Sequence, residues 1–107
     1  MKKVENVTLE FENFDPTHAV IDMAHEIQDQ VCDESPSDSF AKTILKRTEN
    51  MFIGEMKIVS AAGTFLATIT GTDPVRVLAD MSHSVRSQLT NWRRNRWNQL
   101  TRATASL

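Results

Sequence analysis

The sequence predicts an α+β fold with the order β-α-β-β-β-α, in which two helices pack on one face of a four-stranded mixed sheet. Three observations carry this. Residues 4–12 alternate apolar and polar side chains. Two segments that open on Asp-Pro place apolar residues at helical spacing. Between them lie three short β-rich runs separated by turn residues.

In the first run Val7, Leu9 and Phe11 share one side and Asn6, Thr8, Glu10 and Glu12 the other, the pattern of a half-buried strand. Asp15-Pro16 then reads as a helix start, with Asp as the N-cap and Pro in the first turn. Val20, Met23, Ala24, Ile27 and Val31 form one apolar stripe, and Asp22, Glu26, Asp29 and Asp33 occupy the opposite side. Ser35-Pro36-Ser37 ends this helix.

Residues 39–48 and 52–60 read as strands of less regular alternation. Phe40, Ile44 and Leu45 supply the apolar content of the first. Phe52, Met56 and Ile58 share a parity in the second, with Val59 opposite. Asn50 and Ala62-Gly63 mark turns, and residues 64–70 place Phe65, Ala67 and Ile69 on one side. Gly71 breaks that strand, and Thr72-Asp73-Pro74 repeats the cap chemistry. The second helix buries Val77, Leu78, Met81, Val85, Leu89 and Trp92. Residues 1–98 form a single domain, and 99–107 a polar tail that frays. A strand-helix-strand start makes a parallel pair, to which two antiparallel hairpins are added. The sheet face away from the helices is then expected to be mostly polar, with Asn6, Thr8, Glu10, Thr68 and Thr70 on it.

Composition bounds the class. The chain has 107 residues, 40% hydrophobic and 24% charged, the balance of an ordinary soluble domain. Cys32 is the single cysteine, so no internal disulfide forms, which fits a reducing cytosol. No apolar run approaches the roughly 20 residues that cross a bilayer, and the N-terminus lacks the apolar core of a signal peptide. A cytoplasmic protein without membrane contact is expected.

The overall charge of −2 conceals a strong asymmetry. Residues 1–38 carry ten acidic side chains against Lys2 and Lys3, a net of −8, whereas residues 39–107 carry ten basic against four acidic, a net of +6. One end of such a molecule attracts a polyanion that the other repels.

No pattern of catalysis or metal binding emerges. His18 and His25 are seven apart, not the four that places two ligands on one helical face. His25 and Asp29 do have that spacing and read as a polar surface pair. Cys32 has no activating base in reach of the sequence and reads as a small, partly buried apolar residue. Gly54, Gly63 and Gly71 build no phosphate loop. The chain is read as a non-enzyme with no cofactor.

The second helix carries the binding chemistry. Stepping about 100° per residue from Met81 places Arg76, His83, Arg86, Thr90, Arg94 and Trp97 opposite the buried stripe. Arg93 flanks them and Arg96 sits nearer the buried side. Arginine suits phosphate because its planar fork bonds two oxygens at once, and tryptophan stacks on unpaired bases. No acid interrupts residues 81–107. The candidate RNA-binding set is therefore Arg76, His83, Arg86, Arg93, Arg94, Arg96 and Trp97. The competing account is a solvated helix face whose late arginines complement the helix dipole. Asp22, Glu26 and Asp29 on the first helix form a candidate face for a basic protein partner, or a surface that repels unselected nucleic acid.

From Gly71 to Leu89 the chain resembles the ribosome hibernation-promoting factor and ribosome-associated inhibitor family. Gly71, Thr72 and Asp73 match its turn after the last strand. Leu78, Met81 and Val85 fill its apolar helix positions, and Gln88-Leu89 its Gln-Leu pair before a basic end. The resemblance implies the same β-α-β-β-β-α fold, binding to small-subunit ribosomal RNA, and inhibition of translation or stabilisation of idle ribosomes. It also implies a short form without the dimerisation domain of longer members, hence a monomer. Ser84, Ser87 and Asn91 stand where that family commonly has Lys or Arg, and the first helix here is acidic where theirs is mixed or basic. Arg93 matches a basic position, with Arg86 and Arg94 additional.

Overall fold

The computed structural model describes the backbone of residues 6–105 and the side chains of residues 7–96. Its elements follow the expected order: β1 (Asn6–Glu12), α1 (His18–Glu34), β2 (Phe40–Thr48), β3 (Met51–Ser60), β4 (Gly63–Gly71) and α2 (Pro74–Ala105). The strands lie in the order β1-β2-β3-β4. β1 runs parallel to β2 with Asn6 opposite Phe40, and α1 supplies the long connection that a parallel pair needs. β2, β3 and β4 join as antiparallel hairpins. α2 is helical through Ala105, seven residues past position 98.

One core lies between the sheet and the helices. α1 contributes Val20, Ala24, Ile27 and Val31; α2 contributes Val77, Leu78, Met81, Val85 and Leu89. The strands add Ala41, Leu45, Met56, Ile58, Phe65 and Ala67. Met23, Ile69 and Trp92 pack on it half-buried, so both helical stripes and the inward side of β4 are as the spacing predicts. α2 lies over β3 and β4 and against α1. Gly54 permits the closest approach: a Cβ there would stand 2.7 Å from Val77 Cγ1, too close for any side chain.

One local expectation is corrected, and three details are added. α1 is capped by Thr17, not Asp15, and the Val20 amide donates to Thr17 Oγ1 at 3.3 Å. The cause is Phe14, which sits edge-on against Phe11 and Phe52 after Asn13 turns the chain at φ 66°. That anchor ties residue 14 to the sheet, so Asp15-Pro16 serves as lead-in rather than first turn. In β2 the inward residues are Ala41, Thr43 and Leu45, while Phe40 is 47% exposed on the open face. In β1 Leu9 and Phe11 reach the core, but Val7 remains exposed. The β2–β3 turn is formed by Glu49 and Asn50, as Asn50 predicts, with Glu49 in the left-handed conformation at φ 52°.

The open sheet face is less polar than expected. Thr8, Glu10, Thr68 and Thr70 share it with exposed Phe40, Val59 and Leu66. Phe40 pairs with Val59, and Lys42 stands directly opposite Lys57.

Each edge strand is held by a helix-borne glutamine. Gln88 of α2 accepts from the Leu66 amide through Oε1 at 3.1 Å and donates through Nε2 to the Leu66 carbonyl at 2.7 Å. Its carboxamide thus takes the place of a neighbouring strand beside β4. On the other edge Gln28 of α1, 3% exposed, donates to the Thr8 carbonyl of β1 at 3.3 Å.

Candidate nucleic-acid interface

α2 is set on the sheet by its first turn. The Val75 amide donates to Asp73 Oδ1 at 3.0 Å, the cap that Thr72-Asp73-Pro74 predicts. With Val77, Leu78, Met81, Val85 and Leu89 buried, the helix can present only its other side to solvent, and Arg76, His83, Arg86, Thr90, Arg93, Arg94 and Arg96 are all exposed. The Trp97 side chain lies outside the described residues.

These side chains do not form one uniform stripe. Arg76, near the start of the helix, pairs with Asp80 one turn on, 3.3 Å from Nε to Oδ1. Both partners are well exposed, so the pair is screened and contributes little stability. His83 and Arg86 sit midway along the helix, beside the end of α1. There Glu34, the last residue of α1, receives the Arg86 fork: Nε donates to Oε2 at 2.6 Å and Nη2 to Oε1 at 3.4 Å. Arg93 approaches the same carboxylate, with Nη2 3.6 Å from Oε1. Farther along, the guanidinium of Arg96 lies 5.9 Å from the centre of the Trp92 ring, within cation–π range. Trp92 in turn rests edge-on against Phe65 of β4, which fixes this end of the described helix to the sheet. Arg94 has no carboxylate or ring partner among the described residues.

The arginines therefore divide by partner. Among the described residues Arg76, Arg86 and Arg93 face carboxylates, and Arg94 and Arg96 do not. Between the end of α1 and the middle of α2 opens a cleft of about 460 Å³, lined by Glu34, Ser82, His83, Arg86, Ser87 and Thr90 among others. Short side chains at 82 and 87 leave this space. The sequence reading assigned no part to Glu34 or to the cleft. Glu34 lies 52 residues from Arg86, and no local spacing links them.

On α1, Asp22, Glu26 and Asp29 are exposed as their angular positions predict. Among the described residues no group of His, Cys, Asp and Glu is arranged to hold a metal ion, and no described helix is long and apolar enough to cross a membrane.

No protein-family profile matches the sequence, and no curated protein does either. Solved structures do match. The N-terminal domain of Protein Y from Thermus thermophilus superposes with a TM-score of 0.59 at 17% identity, over 81% of this chain and 93% of that domain. A ribosomal subunit interface protein from Coxiella burnetii superposes with a TM-score of 0.65 at 12% identity, over 81% of this chain and 97% of that one. At such identities the likeness establishes the fold, and this chain has the fold of those two proteins across nearly their whole length.

Proposed function

We propose that this chain is a ribosome-associated factor that binds small-subunit ribosomal RNA through the outer face of α2, and thereby inhibits translation or stabilises idle ribosomes. The observation that carries the reading is the near-complete structural overlap with a ribosomal subunit interface protein. The chemistry of α2 supports it, since Arg94 and Arg96 project from a stretch of helix that holds no acid and, among the described residues, are not tied to any carboxylate. Arg93 reaches its carboxylate at 3.6 Å only, and all three side chains are exposed. They form the primary phosphate contacts, with Arg76, Arg86, His83 and Trp97 supporting. In this reading binding takes place in the cytoplasm and involves no catalysis.

The test is co-sedimentation with purified small ribosomal subunits over a range of salt. Each lost phosphate contact lowers the log–log salt slope by roughly 0.9. Replacing Arg93, Arg94 and Arg96 together with Ala should therefore weaken binding and flatten the slope by about 2.7. Wild-type binding by the triple variant would sink the assignment.

A second reading is a protein-interaction module on the same fold that has lost ribosome binding and engages a basic protein through Asp22, Glu26 and Asp29. It draws support from the exposure of all three carboxylates on one helix face. Gradient sedimentation of a cell lysate separates the two readings. Migration with ribosomal fractions at moderate salt favours the first; a position at the top of the gradient in growing and stationary cells alike favours the second.

A further inference from the structure

Glu34 sits within reach of two arginine side chains of the other helix. The Arg86 fork closes on its two oxygens at 2.6 and 3.4 Å, and Arg93 adds a second guanidinium at 3.6 Å. Two cations around one carboxylate leave the site with a net positive charge. A phosphodiester offers the same pair of oxygens with the same single charge, and Arg bonds either in the same bidentate manner. The carboxylate side chain is 23% exposed and the two arginines 46% and 47%, so solvent and a ligand reach the pair. The adjoining cleft is lined by hydroxyls of Ser82, Ser87 and Thr90 and by the imidazole of His83. These donors and acceptors suit ribose and phosphate oxygens. Among the described residues no Phe, Tyr or Trp lines the cleft, so hydroxyls and one imidazole, not a broad stacking surface, face its occupant.

We infer that the cleft between the end of α1 and the middle of α2 is a ribose-phosphate site with a built-in competitor: Glu34 holds Arg86 and Arg93 ready and is displaced by the RNA backbone. This rests on the proposed RNA binding and adds its regulation. Glu34 makes entry selective, because only a backbone that presents a phosphate to Arg86 while its neighbours reach Arg94 and Arg96 recovers the interaction that is given up. A loosely attracted polyanion gains too little to displace the carboxylate. The acid of the first helix thereby acts at one atom pair, beyond its general repulsion.

The test is an NMR titration of the RNA dinucleotide pUpUp, following the Arg86 and Arg93 Nε–Hε signals. The proteins compared are wild type, Glu34→Gln, Asp29→Asn, Arg86→Ala and the Glu34→Gln/Arg86→Ala double variant, each checked for native amide dispersion. Saturable shifts at Arg86 are expected, with binding up to about fivefold tighter in E34Q, the scale on which a partly exposed ion pair competes. D29N removes the same charge from α1 away from the cleft and should change affinity less than twofold. R86A should abolish the response, and the double variant should match R86A.

The inference is overturned if E34Q binds no tighter than wild type, if D29N tightens binding equally, or if neither wild type nor E34Q shifts Arg86. Because the probe is a dinucleotide, these outcomes are independent of the ribosome. Failure of wild type to sediment with small subunits defeats the functional proposal, whereas failure of the titration defeats the competitor.

Discussion

α1 and α2 bury similar apolar stripes against the same sheet, yet their outer faces carry opposite charge. α1 shows Asp22, Glu26 and Asp29 to solvent; α2 shows Arg86, Arg93, Arg94 and Arg96. The difference teaches that helical periodicity divides the work of a residue. Positions on the buried side answer to packing and tolerate little change, while positions on the outer side are free to set charge. The two helices also differ in what they cover. α2 lies across β3, β4 and the flank of α1, whereas α1 reaches the backbone of edge strand β1 through Gln28.

If α2 is the main clamp, its core substitutions must cost more than those of α1. Leu89 and Val31 are both fully buried, on α2 and α1 respectively. Leu89→Ala is expected to lower stability by about 2–5 kcal/mol, the range for deleting a buried leucine side chain. Val31→Ala removes fewer carbons and should cost about 2 kcal/mol. Urea denaturation measures both, as a shift in midpoint at unchanged slope. Leucine loses one more carbon than valine, worth about 0.8 kcal/mol, so a gap no larger than that would mean that α1 holds the sheet as firmly as α2, and the contrast in their roles would fail.

Much of this architecture is legible in the sequence because helical stripes are long and redundant. Five to six apolar positions define each helix, so one ambiguous residue does not mislead. The short strands have no such reserve. In β2 the inward positions are Ala41, Thr43 and Leu45, where a small residue and a polar one conceal the parity while Phe40 on the other side advertises the wrong one. The α1 cap was displaced because a tertiary contact, Phe14 against Phe11 and Phe52, governs where the chain can enter the helix. At the candidate site, angle alone placed the arginines outward and left them indistinguishable. Their partners, Asp80 one turn on and Glu34 from the other helix, divide them. The first pairing has a visible i,i+4 spacing, but the second depends on how two helices meet and leaves no trace in local pattern.

The glutamines sharpen the contrast at a smaller scale. Gln88 bonds both the amide and the carbonyl of Leu66, while Gln28 contributes one bond to Thr8. An unpaired edge invites strand addition, and a side-chain amide that fills both positions blocks it locally. Gln88→Ala should cost about 1–2 kcal/mol, the net worth of two ordinary hydrogen bonds. It should also promote self-association at high protein concentration, read by sedimentation velocity. A Q88A protein that keeps wild-type stability and wild-type sedimentation would show that the bond pair neither ties α2 to β4 nor guards the edge.

The smallest effect probes the charge contrast itself. Neutralising α1 by Asp22→Asn, Glu26→Gln and Asp29→Asn leaves its buried stripe untouched, so the fold should persist. If these carboxylates repel RNA that approaches α2, affinity for small subunits should rise roughly threefold at about 0.1 M salt, where charges interact over about 10 Å. The gain should disappear near 1 M, where that distance falls to about 3 Å. Tightening that survives high salt would point to a direct contact instead of repulsion. No change at low salt would mean that the acidic face plays no part in RNA selection, which strengthens the case for a basic protein on α1. Steering by α1 and competition by Glu34 then separate cleanly, since the first acts through distance and ionic strength and the second through one bidentate pair.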